Sequence, residues 1–217
     1  MKKVEHLQKL EEAGVIAVIR RPERKDVLPL AEALVEGGVT TLEVTVDTDG
    51  AFDIIRELKK ELGEQALVGA GTVLDAETAQ SAISAGADFV FSPNYNHDLI
   101  QMANRYGVIS IPGVLTPSEM VDAYQAGADL VKIFPASTFG PAYIKDLQGP
   151  LGHIPMIPTG GVNTENVGDY IKSGAVAVGA GGSLIDKQLI HKQDFAGITA
   201  LARQFTAEVQ KVREEKA

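Results

Sequence analysis

Eight short runs rich in β-branched residues recur along the 217-residue chain, with longer amphipathic segments between them. The runs are GVIAVIR (14–20), TTLEVTV (40–46), ALVGAGTV (66–73), DFVFSP (88–93), GVISIPGV (107–114), DLVKIFP (129–135), HIPMIPTGG (153–161) and AVAVGAGG (175–182). Their starts are roughly 23 residues apart, the length of one strand–helix unit with short connections. Between them, KDVLPLAEALVEGG, DAETAQSAISAGAD and TPSEMVDAYQAGAD place apolar residues at i, i+3, i+4 spacing, which predicts helices. Ser, Thr, Asp or Asn stands near several helix starts, and Gly near several ends.

The tag AGAD appears at 85–88 and again at 126–129, each time between a helix and the next strand. EGGV (36–39) and SGAV (173–176) occupy the same place. A glycine that closes a helix before a strand explains the repeat. Eight parallel strand–helix units predict an α/β fold, a (β/α)8 TIM barrel, because closure leaves no sheet edge. A doubly wound sheet is the alternative. Residues 2–13 and 193–215 read as extra helices, and no linker divides the chain, so residues 1–217 are expected to form one barrel domain with an extra N-terminal helix.

Composition narrows the function. There is no cysteine, which excludes disulfides, thiolate metal sites and a thiol nucleophile. The charged start MKKVEHLQKLEEAG has no apolar segment of signal-peptide type, and no apolar run is long enough to span a bilayer. A cytoplasmic protein without a membrane partner is expected. The net charge of −9 argues against a nucleic-acid partner.

In a barrel, alternate side chains point inward and the C-terminal strand ends form the active face. In LVKIFP, Lys132 and Phe134 share one face while Val131 and Ile133 share the other. The apolar pair suits the helix-covered side, so Lys132 points in. It is either a structural lysine neutralised by a carboxylate, or an amine whose desolvation leaves it neutral enough to attack a carbonyl. In TLEVTV, Glu43 and Thr45 share the inward face. Glu43 is either the ion-pair partner of Lys132 or its proton shuttle. Arg20 ends the first strand, either as a solvated rim residue paired with Glu23 or as a fork for a carboxylate. Thr72 follows Gly69 and Gly71, small residues that permit close approach.

PTGGV (158–162), with a helix expected near Asn163, and GAGGS (179–183) end the last two strands. They are either tight turns or the place where this fold binds phosphate through backbone N–H groups. The second reading makes Gly160, Gly161, Gly181, Gly182 and Ser183 phosphate-binding. His6, His97, His153 and His191 are too scattered to converge on a metal. No metal and no cofactor is expected.

The chain resembles the 2-keto-3-deoxy-6-phosphogluconate aldolase / 4-hydroxy-2-oxoglutarate aldolase family over nearly its whole length. The motifs are GGVTTLEVT (37–45), VGAGTVL (68–74), FSP (91–93), IPGVLTPSE (111–119), VKIFPAS (131–137), PTGGV (158–162) and GGS (181–183). The resemblance implies a class I aldolase of carbohydrate metabolism, in the Entner–Doudoroff pathway, working as a homotrimer on a small-molecule substrate. It makes Lys132 the Schiff-base lysine and Glu43 the general acid/base. Thr72, Pro93 and Phe134 become substrate-pocket residues, and the glycine loops with Ser183 bind phosphate.

One position departs from the family. Many members place an arginine four residues after the glutamate to meet the substrate carboxylate, and here that residue is Asp47. Arg20 is expected to take over. FPASTFGPAYIKDL (134–147) also resembles members that act on the galactonate epimer. An isomerase or synthase that keeps the glycine loops, and a non-catalytic sugar-phosphate sensor, are the alternative functions.

Overall fold

In the computed structural model, which describes residues 2–215, all eight β-branched runs form strands. These are β1 (Val15–Ile19), β2 (Thr41–Thr45), β3 (Leu67–Gly71), β4 (Phe89–Phe91), β5 (Ile109–Ile111), β6 (Gly113–Val114), β7 (Val131–Ile133), β8 (Met156–Pro158) and β9 (Val178–Ala180). The helices are α1 (Lys2–Ala13), α2 (Val27–Glu36), α3 (Ala51–Leu62), α4 (Ala76–Ser84), α5 (His97–Arg105), α6 (Pro117–Gln125), α7 (Gly140–Leu151), α8 (Val167–Lys172), α9 (Lys187–His191) and α10 (Phe195–Glu214). The polar residues before several helices do cap them. Asp75 accepts from the Thr78 N–H, Asn96 from Leu99, and Thr116 with Glu119 forms a reciprocal capping box on α6.

Every strand pairing is parallel, as the strand–helix alternation requires. The ladders differ from the single eight-stranded ring expected. Six strands form a curled half-barrel in the order β5-β4-β3-β2-β1-β9, and β6-β7-β8 form a separate sheet. The reason is proline. The fifth predicted strand is split at Pro112, which has no N–H to donate, although its carbonyl accepts from Lys132 N at 2.8 Å. Pro158 likewise ends β8, and a lone parallel bridge, Thr159 to Gly179, joins this edge to β9.

Two apolar layers follow from the alternation of side chains. Leu42, Val44, Val131 and Ile133 pack outward against the helices. Ile16, Leu67, Phe89, Phe91, Ile109, Leu130 and Ile157 pack inward, and Leu10 of α1 joins them. Each such fully buried aliphatic side chain contributes about 2 kcal/mol. The extra N-terminal helix therefore lies over the N-terminal strand ends, and the C-terminal ends are left for chemistry.

The AGAD repeat does more than end helices. Gly86 and Gly127 adopt φ of 97° and 94°, as a glycine cap requires. The aspartates then stitch neighbouring strands. Asp88 accepts from Val68 N (3.0 Å), and Asp129 from Ser110 N (2.9 Å). Both also hold α1, Asp88 through His6 at 3.5 Å and Asp129 through Lys3 at 2.9 Å.

Candidate active site

The cleft above the C-terminal strand ends, about 460 Å³ in volume, gathers Arg20, Thr72, Pro93, Lys132, Phe134, Gly160, Gly161, Gly181, Gly182 and Ser183. Glu43 lies beneath it, 1% exposed. The cleft thus gathers candidates from six separate strand ends, Pro93 and Phe134 among them as pocket residues that the family resemblance implied. Val18, Thr159 and Asn163 also line the cleft and were not anticipated.

Lys132 is the middle residue of β7 and is 5% exposed. Its amine lies 4.4 Å from the Phe91 ring centroid and 4.6 Å from that of Phe134. Burial pushes the Lys132 amine below its ordinary pKa; a negative Glu43 opposes that shift and Arg20 adds to it. Phe91 was passed over in the sequence. Its place on the same inward face as Phe89, next to Pro93, was the available signal.

Glu43 sits in the middle of β2 with Oε2 unpartnered among the described residues. Its carboxylate rests over Gly71, where a Cβ would meet Oε1 at 1.6 Å. Burial raises its pKa to about 7, against the pull of Lys132 and Arg20. The simple ion pair considered from sequence would have held this carboxyl low. Desolvation wins instead, and a group poised near neutrality can both take and return a proton.

Arg20 does not pair with Glu23, which meets Lys25 at 2.8 Å. Its Nη2 donates to Thr72 Oγ1 at 3.2 Å across the cleft. Thr72 itself has φ 58°, a left-handed conformation rare for a β-branched residue. Asp47, which replaces the expected arginine, pairs with Arg21 at 2.8 Å. A hydrogen bond from Thr45 is the first cause that holds the Asp47 carboxyl below its ordinary pKa.

The two glycine loops meet at the other end of the cleft. The N–H groups of Gly161, Val162, Gly182 and Ser183 have no partner among the described residues. Two details differ from the sequence expectation. The helix expected near Asn163 begins at Val167, because Asn163 Oδ1 accepts from Glu165 N and Asn166 N and holds a turn there first. The Ser183 hydroxyl donates to the Val162 carbonyl, so the backbone rather than the hydroxyl offers free donors. Among the described residues, no group of three or more His, Asp or Glu side chains is arranged to hold a metal ion.

A curled parallel α/β sheet with a desolvated amine and a near-neutral carboxyl at its C-terminal strand ends defines an enzyme built for carbonyl chemistry. The model of the KDPG and KHG aldolase family matches residues 7–201. The chain belongs to that family, and it is a lyase of the aldolase type. It is 37% identical over 196 residues to the 2-dehydro-3-deoxy-phosphogluconate aldolase of Treponema pallidum, covering 90% of this chain and 93% of the relative. A solved structure described as native KDPGal superposes with a TM-score of 0.86 at 30% identity, covering 92% of this chain and 96% of that one. The Legionella pneumophila KDPG aldolase, solved with pyruvate captured as a covalent carbinolamine, matches with a TM-score of 0.84 at 31% identity, covering 94% and 97%.

Proposed function

We propose that this chain is a class I aldolase that cleaves 2-keto-3-deoxy-6-phosphogluconate to pyruvate and glyceraldehyde 3-phosphate. It also cleaves 4-hydroxy-2-oxoglutarate to pyruvate and glyoxylate. The observation that carries the reading is the Lys132 amine, buried between two rings and above the near-neutral Glu43.

Neutral Lys132 adds to the C2 ketone, and loss of water leaves an iminium. Glu43 removes the C4 hydroxyl proton, directly or through a water. The C3–C4 bond then breaks, its electrons flow to the iminium to give an enamine, and glyceraldehyde 3-phosphate leaves. Glu43 returns the proton to C3, and water frees pyruvate and the amine. Arg20 takes the carboxylate with Thr72 beside it, and Pro93 and Phe134 wall the reacting carbons. The N–H groups around Gly160, Gly161, Gly181, Gly182 and Ser183 take the phosphate. That phosphate is remote from the breaking bond, yet its binding positions the carbons that react.

The same reading takes residues 1–217 as one domain closed into a (β/α)8 barrel. The Thr159–Gly179 bridge and the continuity of β5 into β6 support closure. A homotrimer working in the cytoplasm completes it. Leu74 and Phe139, each more than half exposed, are apolar surface that such an assembly can cover, and no helix among the described residues is long and apolar enough to cross a membrane.

Cleavage of the galactonate epimer is the second reading, favoured by the likeness to the native KDPGal structure. A coupled pyruvate-release assay with the gluconate, galactonate and hydroxyoxoglutarate substrates tests both. The gluconate substrate is expected to give the highest kcat/KM. Higher turnover of the galactonate epimer selects the second reading, and release from none of the three defeats both.

A further inference from the structure

Arg20 and Arg21 are adjacent in the chain but take different partners. Arg20 lines the cleft and donates to Thr72, while Arg21 turns to Asp47. The turn between them is left-handed, with φ 49° at Arg21. A residue with a side chain incurs a steric penalty there, so neighbouring contacts must hold it. Two such contacts exist. Arg21 N–H donates to Thr48 Oγ1 at 3.0 Å, and Arg21 Nη2 meets Asp47 Oδ2 at 2.8 Å. Thr48 is buried, and its hydroxyl lies 3.3 Å from that of Thr45, the last residue of β2. The end of β1 is thereby clipped to the turn that follows the glutamate-bearing strand.

We propose that Asp47 and Thr48 are positioning residues that lock the left-handed turn at Arg21 and so fix the guanidinium of Arg20 in the cleft. This rests on the reading of Arg20 as the carboxylate ligand. The family's arginine at this position would meet the substrate directly; Asp47 acts at one remove, through Arg21 and the backbone. Without the clip, Arg20 samples more rotamers, and each substrate molecule must order it on binding. That cost falls on KM. The uncharged Thr48 hydroxyl has no part in setting the ionisation of Lys132 or Glu43, so its loss spares kcat. The Asp47 charge also helps hold the Glu43 carboxyl up, so the loss of Asp47 adds a downward shift of the rate profile along the pH axis.

Steady-state kinetics on 2-keto-3-deoxy-6-phosphogluconate test this with Asp47→Ala, Thr48→Val and Arg20→Ala, alone and combined. Asp47→Ala and Thr48→Val are each expected to raise KM roughly two- to tenfold, the effect of one net hydrogen bond, with kcat within about twofold in Thr48→Val and, for Asp47→Ala, within about twofold on the pH plateau above the Glu43 ionisation. Thr48→Ser restores the acceptor and returns KM toward the parent value. Arg21→Gly, placed in the Asp47→Ala background, also lowers KM again, because glycine adopts the turn unaided. In an Arg20→Ala background neither Asp47→Ala nor Thr48→Val raises KM further.

The proposal is overturned if Arg20→Ala raises KM while the clip variants do not, or if their effects multiply in full with that of Arg20→Ala. An unchanged KM in Arg20→Ala alone overturns the carboxylate role itself, a separate result. Asp47→Asn, which keeps the side chain's shape, takes the place of Asp47→Ala should the latter fail to fold, with the same outcomes.

Discussion

The amine of Lys132 lies 4.4 Å from the centroid of the Phe91 ring, a fully buried side chain on the interior face of β4. The ring presents its negative face to the nitrogen that carries positive charge once the iminium forms. Phe134 supplies a second face at 4.6 Å, but its side chain is partly open to solvent. Phe91→Leu is therefore expected to lower kcat/KM about three- to thirtyfold, the range of a desolvated cation–π contact. Steady-state kinetics read the loss; an unchanged kcat/KM would remove Phe91 from the site's electrostatics.

Glycine at position 71 is the floor on which the Glu43 carboxylate rests. A methyl group there would sit 1.6 Å from Oε1, so the carboxylate must move. Gly71→Ala is expected to lower kcat at least about a hundredfold, as for a misplaced catalytic group, and to destabilise the fold by about 1–3 kcal/mol. Turnover and a urea denaturation curve check the two effects together.

The buried Glu43 carboxyl makes stability depend on pH. Its pKa rises from 4.5 to about 7 on folding. Between these values the unfolded chain releases the proton and the folded chain keeps it. Stability is thus greatest below about pH 4.5 with respect to this group, declines by about 3 kcal/mol as pH rises to about 7, and then stays level. Glu43→Gln removes that slope. The same ionisation governs activity: kcat/KM is expected to rise with pH through an apparent pKa of about 7, since both a charged Glu43 and a neutral Lys132 are needed. Denaturation and rate profiles across that window measure both, and a falling rate over the same range would reverse the assignment.

The phosphate end can be separated from the amine end. Gly161 has φ 77°, and a Cβ there would meet Ser137 Cβ at 2.6 Å. Gly161→Ala is expected to raise KM for the phosphorylated substrate roughly tenfold or more while leaving the reaction of pyruvate with Lys132 unchanged. Ser183→Ala is expected to raise KM less than about threefold, because that hydroxyl already donates to Val162. A larger loss at Ser183 than at Gly161 would assign the phosphate to the side chain.

Much of this site is legible in the sequence because a parallel strand fixes parity. Once Val131 and Ile133 face the helices, Lys132 must face the interior, and the same reasoning places Glu43. Features that depend on single backbone groups are hidden. Pro112 and Pro158 interrupt ladders that the hydrophobic pattern runs through without a break. The AGAD repeat announces its glycine caps, but not that Asp88 and Asp129 would accept from neighbouring strands. Phe91 reads as ordinary core, and only its place on the inward face two residues before Pro93 hints that it reaches the amine. The turn at Arg21 is hidden because arginine gives no hint of a left-handed conformation.

Borohydride trapping tests the central claim most directly. Incubation of the protein with pyruvate and sodium borohydride, followed by peptide mass mapping, is expected to place one reduced pyruvyl group on Lys132, with none formed in Lys132→Arg. An intact protein that forms no adduct, or that carries the adduct on a different lysine, would contradict a Schiff-base mechanism at this residue.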